Sequence, residues 1–452
     1  MSAHTQNPSS AVIVGLGRTG LSCVRYLRER GWRLAVTDTR AEPPQLAALR
    51  ELDAAIPVRL GGLDARLLDQ ALCVIVSPGV SLQEPFLAEA RRRGLEIVGD
   101  IELFARAVDA PVAGITGTNG KSTVTTLVGR MAARAGVSVR VGGNLGEPAL
   151  DLLAAANRAG EAVGLYVLEL SSFQLEATHS LDLAAAAVLN VSPDHLDRYA
   201  SVAAYADAKS RIFARCDTAV INLDDPLVVA MPRPGQRTLS FSLRAGIGAD
   251  YAVSIQDGSA WLTRRGESLL PLSAMRIRGL HNAANALAAL ALGEALGLPL
   301  PAMLAELEAF TGLSHRTQWV AEVAGVTYID DSKGTNVGAT IAAVAGMQGP
   351  LVIIAGGDGK SQDFGPLAAA FRGKVRHTVL IGRDARMVGE ALRGVCTTEY
   401  RVSLEEAVHA AAAAARPGDT VLLSPACASL DMFRDYAHRG AVFAQAVKEL
   451  AA

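Results

Sequence analysis

Several things are scarce in this chain, and each scarcity removes a class of protein. Neither sign of charge dominates: 43 Lys/Arg stand against 45 Asp/Glu, for a formal net charge of −2. A nucleic-acid surface needs a basic block or stripe, and none is present, although a local anion pocket stays open. The cysteines Cys23, Cys73, Cys216, Cys396 and Cys427 lie far apart, with no C-x-x-C pair. That spacing argues against a disulfide framework or a zinc knuckle and suits a reducing compartment. No apolar run reaches the roughly 20 residues of a membrane span, so no membrane span is expected. The opening MSAHTQNPSS lacks the basic-then-apolar pattern of a secretory signal, and a cytoplasmic location is expected. No solenoid repeat or low-complexity linker interrupts the chain.

What is present is material for large cores. Half of the 452 residues are hydrophobic, and the length suggests about three domains of roughly 150 residues each. AVIVGLG (11–17) is a strand ending in glycine, followed by Leu21, Val24 and Leu27 at helical spacing and a strand over Arg33–Thr37. CVIVSPG (73–79) and EIVGD (96–100) continue the pattern. A second α/β unit starts at PVAGITGTNGKST (111–123) and runs through VGLYVLELSS (163–172) and AAAAVLNVSPDH (184–195). Residues 235–275 read as a short β-rich insertion, and 281–297 as a long alanine helix stopped by Gly297. A third unit carries strands at VTYIDDS (326–332), LVIIAGG (351–357), HTVLIG (377–382) and TVLLSPA (420–426). Alternation of strand and helix predicts an α/β protein with mostly parallel sheets. Domain boundaries are expected near 98 and 312, giving units 1–98, 99–312 and 313–452.

G-I-T-G-T-N-G-K-S-T (114–123) lies between an apolar strand and a helix, the context in which backbone N–H groups and a helix N-terminus cradle phosphate. Lys121 is placed to reach the terminal phosphates and Ser122 to bind magnesium. The strict G-x-x-x-x-G-K-[ST] spacing is not met, because Ile115 stands at the first glycine position. The loop predicts nucleoside-triphosphate binding but does not separate kinase, switch and ligase; the N-K-x-D base-reading motif of a GTPase is absent. Gly15-Leu16-Gly17-Arg18-Thr19-Gly20 follows a strand, and Asp38 ends the next one, where it would meet a ribose hydroxyl. This fits NAD, another pyrophosphate-bearing nucleotide, or a tight turn with no ligand. Glu169, at the end of the strand YVLE, is placed for magnesium, and Asp194-His195 follows a strand in the same way. Lys209 reads, from spacing alone, as a solvated helix lysine.

Taken together, these segments resemble the Mur ligase family of peptidoglycan synthesis. The resemblance is carried by G-T-N-G-K-S-T (117–123), E-L-S-S-F-Q-L (169–175), N-V-S-P-D-H-L-D-R-Y (190–199) and A-K-S-R-I-F (208–213). It continues through H-N-x-x-N-A-L-A-A-L (281–290), G-L-S-H-R (312–316), D-S-K-G-T-N (331–336) and G-G-D-G-K-S (356–361). S-P-A-C-A-S-L-D-M-F (424–433) resembles the branch that adds glutamate. The resemblance implies three domains: Rossmann-like, P-loop ATPase-like and again Rossmann-like. It implies an ATP-dependent amide ligase that adds D-glutamate to UDP-N-acetylmuramoyl-L-alanine through an acyl phosphate, with L-glutamate as the alternative acceptor, and a monomer.

The same resemblance implies site roles. Arg18, Thr19, Asp38, Thr39, Arg40 and Ser77 would hold the UDP part, with Asn144, Ser171 and Gln174 also on the substrate. ATP would be held by Gly117, Thr118, Asn119, Gly120, Lys121, Ser122 and Thr123, with Asn282, Asn285, Arg316 and Asp331 on its far side. Two magnesium ions would be bound through Ser122, Glu169, His195 and Lys209, the lysine being carbamylated. Lys121, His195 and Lys209 would be catalytic, and Lys333, Thr335, Lys360, Ser429, Leu430 and Tyr436 would receive glutamate. The chain departs from the family pattern at Gly334, at Tyr436 and at Pro193. Rival readings are a nicotinamide oxidoreductase, which leaves the G-K-S-T loop unexplained, a non-catalytic nucleotide switch, which predicts little phosphate release, and a folylpolyglutamate-synthetase-like ligase, which would not explain a UDP-type first domain.

Overall fold

The computed structural model describes residues 9–450 except 278 and 348, so most of the polar opening segment lies outside the described residues. The first sheet has β1 (Ser10–Val14), β2 (Arg33–Asp38), β3 (Val58–Leu60), β4 (Cys73–Val76) and β5 (Glu96–Val98), all parallel in the order 3-2-1-4-5. Strands such as AVIV are continuous apolar runs because helices cover both faces of the sheet. The helix Arg18–Arg28 buries Leu21, Val24 and Leu27 against it, as their spacing predicted. The short β3 carries no sequence signal strong enough to be read.

The second sheet holds nine strands: β6 (Val112–Thr116), β7 (Val139–Gly143), β8 (Leu165–Glu169), β9 (Leu183–Val188), β10 (Cys216–Asn222), β11 (Arg237–Ser242), β12 (Tyr251–Gln256), β13 (Ser259–Arg264) and β14 (Glu267–Pro271). Their order is 14-13-12-11-10-9-6-8-7, parallel except for the β12–β13–β14 meander. The segment expected as an insertion is therefore a continuation of this sheet. Its alternating, partly exposed strands can pair at an open edge without helices covering both faces. The helix Leu280–Ala295 lies across the sheet with ten buried residues, and Gly297 follows it in left-handed geometry (φ +73).

The third sheet contains β15 (Gln318–Val323), β16 (Val326–Asp330), β17 (Leu351–Gly356), β18 (Val375–Ile381), β19 (Thr397–Tyr400) and β20 (Thr420–Leu423), in the order 15-16-20-17-18-19. Only the β15–β16 hairpin is antiparallel.

Topology places the chemistry. In the second sheet β6 lies between β8 and β9, with Ile115 opposite Glu169 and Thr116 opposite Val188. The phosphate loop, Glu169 and the segment after β9 therefore leave the sheet at one edge. In the third, β20 lies between β16 and β17, so the turns carrying Asp331, Ser424 and Gly357–Lys360 also emerge together. Ligands bind beyond the carboxyl ends of parallel strands because the loops gather there.

Candidate active site

The phosphate loop joins β6 to the helix Lys121–Arg134 through Gly117 (φ +146) and Gly120 (φ +85). A Cβ on Gly120 would come within 2.3 Å of Asn285 Oδ1, so this position needs glycine both for its backbone and for its neighbour. Asn190, which follows β9, pins the loop from both sides: its Oδ1 accepts from Asn119 N at 2.8 Å and its Nδ2 donates to Asn119 O at 3.1 Å. Sequence reasoning gives this asparagine no role beyond its place in N-V-S-P-D-H. Lys121 folds back over the loop, donating to Gly117 O and Thr118 O at 2.9 Å each. Burial holds its pKa below that of an ordinary lysine.

Ser122 and Glu169 meet directly, with Ser122 Oγ donating to Glu169 Oε2 at 2.6 Å. Asn144 Nδ2 donates to Oε1 at 2.8 Å, and Arg316 Nη2 donates to Ser122 Oγ at 2.8 Å. Burial would raise the Glu169 carboxyl, but the Lys121 charge and the Ser122 and Asn144 hydrogen bonds keep it below its usual value. It is thus an anion facing the phosphate loop. Among the described residues no three His, Cys, Asp or Glu side chains cluster. Magnesium does not require such a cage, since it keeps waters and binds one or two carboxylates plus substrate phosphates. The hydroxyl–carboxylate pair at the mouth of the loop fits that donor set.

His195 and Lys209 flank Tyr205. The His195 ring lies 6.2 Å from the tyrosine ring, and Lys209 Nζ sits 4.2 Å over it. Burial lowers the imidazole pKa to about 4, so His195 is neutral at pH 7 with a nitrogen lone pair free to bind metal. Lys209, on the helix Val202–Ser210, is 1% exposed and donates to Gly117 O at 3.0 Å. Its surroundings reverse the expectation from spacing, since tertiary packing and not helix periodicity buries it. Burial, reinforced by the Lys121 charge, lowers its pKa well below the ordinary value.

A first cleft gathers Arg18, Thr19, Asp38, Thr39, Arg40 and Ser77 from the first sheet. Asn144 and Gln174 from the second line the same cleft. Ser77 Oγ donates to Gly15 O at 2.8 Å. Asp38 does not point freely to a ligand. It is 2% exposed and accepts from Leu16 N at 2.7 Å and from Arg40 N and Nε at 2.9 Å. Burial would raise its carboxyl, yet these donors bring it down to about 2. Asp38 therefore shapes the glycine turn and aims Arg40. Ser171 caps the helix Ser172–Glu176 in a reciprocal box with Gln174.

A second cleft lies between the second and third sheets, lined by Asn119, Gly120, Thr123, Asn282, Asn285, Arg316, Asp331 and Lys333. Asn285 Nδ2 donates to Asn282 Oδ1 at 3.2 Å, as their three-residue spacing on one helix allows. Asp331 is buried, and burial pushes its carboxyl up to about 7 despite hydrogen bonds from Ser424 and Thr317. Lys333 Nζ rests 3.8 Å over the Tyr436 ring, its pKa lowered to about 8 by burial and by the Arg316 charge. Thr335 follows Lys333 in a turn, its N–H bonding Lys333 O at 2.8 Å. Ser429 is buried, whereas Leu430 is 72% exposed and lines neither cleft.

Lys360 crosses between units. Its Nζ lies 2.5 Å from Asp194 Oδ1, and Asn336 Nδ2 reaches Asp194 Oδ2 at 3.3 Å and Asn119 Oδ1 at 3.2 Å. Asn336 is a second residue that sequence reasoning leaves without a role; the only signal for it is its place at the end of D-S-K-G-T-N.

Three family descriptions match the chain: Mur ligase MurD-like N-terminal domain over 9–99, Mur ligase middle domain over 115–293, and Mur ligase glutamate ligase domain over 315–427. A UDP-N-acetylmuramoylalanine–D-glutamate ligase of Methylococcus capsulatus is 51% identical over 443 residues, covering 98% of this chain and 95% of its own. The protein of the same name from Nitrosococcus oceani is 52% identical over 448 residues, covering 98% of each. Among solved structures, the UDP-N-acetylmuramate-alanine ligase of Thermotoga maritima aligns with a TM-score of 0.62 at 20% identity, over 97% of this chain and 99% of its own. MurF of Acinetobacter baumannii aligns at 0.61 and 18% identity, over 98% and 92%. At those identities the structures bear on the fold alone.

Proposed function

This chain belongs to the Mur ligase family, and from that premise we propose that it is the ATP-dependent ligase joining D-glutamate to UDP-N-acetylmuramoyl-L-alanine in peptidoglycan precursor synthesis. The observation carrying the reading is the identity of about half, over nearly the whole length, to relatives of that name. The two clefts support it, since a single carboxylate, Glu169, is tied to Asn144 of the first cleft and to Ser122 and Arg316 beside the second. Nothing favours the L-enantiomer.

A carboxylate is a poor acyl donor, because oxide would have to leave. The terminal carboxylate of the sugar-nucleotide therefore attacks the γ-phosphorus of ATP, ADP departs, and an acyl phosphate results. The amine of glutamate attacks its carbonyl carbon, sheds a proton, and expels phosphate to leave the amide. Bringing carboxylate and γ-phosphate to 4 Å costs about 4 kcal/mol at an effective dielectric of 20. Lys121 and Arg316 supply positive charge at that meeting point. Magnesium, held by Ser122 and Glu169 and by His195 with Lys209, would neutralise the rest and screen the transferring phosphoryl group.

The second metal position needs an anion where Lys209 stands. A buried amine of lowered pKa is nucleophilic at neutral pH: its nitrogen adds to CO₂, loses a proton, and becomes a carbamate. On this reading the first cleft takes the UDP moiety, Asn282, Asn285, Arg316 and Asp331 take the nucleoside side of ATP, and Lys333, Thr335, Lys360, Ser429, Leu430 and Tyr436 receive glutamate. The three units run 1–98, 99–312 and 313–452, and the protein works as a cytoplasmic monomer. Among the described residues no helix is long and apolar enough to cross a membrane. Phosphate release with the muramoyl substrate, ATP and either D- or L-glutamate tests the assignment. Release with D-glutamate alone is expected, and release with L-glutamate alone would overturn the stereochemical assignment.

A further inference from the structure

Asp100 opens the helix Asp100–Ala105, in the segment joining the first sheet to the second. Its side chain is 2% exposed, Oδ2 accepts from Gln174 Nε2 at 3.0 Å, and Oδ1 is buried with no side-chain donor among the described residues. The joint around it is stitched to the stretch 171–180. Gly99 N donates to Ala177 O at 3.0 Å, while Glu102 accepts from His179 N at 2.7 Å and Ser180 N at 2.9 Å.

Gln174 forms part of the first cleft, and its carboxamide is oriented from two sides. Oε1 accepts from Ser171 N at 3.1 Å and Ser171 Oγ at 3.2 Å, while the NH₂ end faces the Asp100 carboxylate. A carboxylate only accepts, so it rejects the flipped amide, and a primary amide whose first N–H is taken by Asp100 has a second to give. Gln174 also stands five residues beyond Glu169, so one short segment carries both the cleft wall and the carboxylate of the reaction centre.

We infer that Asp100 is a positioning residue for the sugar-nucleotide: it holds Gln174 so that the free N–H donates to a carbonyl oxygen in the middle of that substrate, between nucleotide and reacting carboxylate. The inference rests on the reading of the first cleft as the sugar-nucleotide site. Removing the acceptor frees the amide to turn and leaves its NH₂ end unpaired in a buried place, which loosens the grip on one substrate of the three.

Steady-state kinetics and thermal melts of D100A, D100N and the double variant D100N/Q174E test it. D100A is expected to raise KM for the sugar-nucleotide about tenfold, with the KM values of ATP and glutamate changed by less than about twofold. D100N keeps an acceptor oxygen and should recover most of that loss. The double variant exchanges the two groups, so that the amide on the helix donates to the carboxylate on the cleft wall, and the buried bond and the melting temperature return. No N–H then faces the cleft, so KM stays high. The role is overturned if D100A leaves the sugar-nucleotide KM unchanged, if it raises all three KM values in parallel, if D100N is as impaired as D100A, or if the double variant regains a low KM. The unmodified enzyme controls the underlying reading: no turnover there overturns the function, whereas turnover with an unaffected D100A overturns only Asp100.

Discussion

The Lys209 ammonium hydrogen-bonds the Gly117 carbonyl 92 residues earlier in the chain, at 3.0 Å, under the first glycine of the phosphate loop. It also sits 4.2 Å over the Tyr205 ring, and among the described residues it forms no salt bridge with a carboxylate. A lysine buried in this way costs stability as a cation, and its placement makes sense if it does not stay one.

Lys209→Ala is therefore expected to abolish ligation, with added formate or acetate restoring part of it by supplying the missing anion. Lys209→Met is expected to be equally inactive but, in CO₂-free buffer where the lysine is an unmodified buried amine, to melt higher, by about 1–2 kcal/mol of added stability, because an apolar chain replaces a buried polar group. Full activity of either variant would remove the carbamate from the mechanism, and a lower melting temperature for the methionine variant would contradict the cost assigned to burying the amine.

Lys121→Ala separates the two clefts. Phosphate release should fall by about 10³-fold or more, since a positive charge aimed at the transferring group is lost. Binding of the sugar-nucleotide, measured by calorimetry without ATP, should stay within about threefold of the unmodified protein, because Lys121 is outside the first cleft. Loss of both would show that the clefts do not act separately.

The Lys360–Asp194 pair joins the third unit to the second, at 2.5 Å and with both groups largely buried. Removing one partner of a buried pair strands the other charge, at a cost of about 3–5 kcal/mol. Lys360→Ala should therefore raise KM for glutamate and enlarge the radius of gyration in solution scattering, as the units part. An unchanged scattering profile would mean that other contacts, such as Asn336 with Asn119, hold the two units together by themselves.

Glu102 gives a pH dependence with a definite sign. Burial would raise its carboxyl, but the N–H groups of His179 and Ser180, the Ser180 hydroxyl and Arg106 hold it at about 2 against an ordinary 4.5. A carboxylate depressed by folding contributes stability above its unfolded value and loses it as pH falls through the folded one. Melting temperature should thus drop between about pH 4.5 and pH 2, and E102Q should show a shallower drop over that window while melting lower at pH 7. A parallel curve for E102Q would place the acid sensitivity elsewhere.

Much of this was legible in the sequence. The Val/Ile-rich runs at 11–14, 73–76, 112–116 and 351–356 are strands because a doubly covered parallel sheet needs nothing but apolar residues, a local signal. G-T-N-G-K-S-T carries its glycines at the positions where backbone geometry demands them. Two of the elements that escaped, Val58–Leu60 and Thr397–Tyr400, are three or four residues long and only partly buried, and the longer, mostly buried Cys216–Asn222 escaped as well. The strand character of the two short ones comes from a neighbour to pair with, which no window of sequence contains.

By itself, the order of residues determined the fold class, the phosphate loop, and which side chains have the chemistry for metal, phosphate and carboxylate. Only the tertiary structure decided their states. Lys209 is buried and depressed, Asp38 is committed to Arg40 and Leu16, and Lys360 reaches Asp194. A residue type sets which proton can move and which bond can form. Burial and charge from segments far along the chain set the energy of each, and those appear only when the three sheets are brought together.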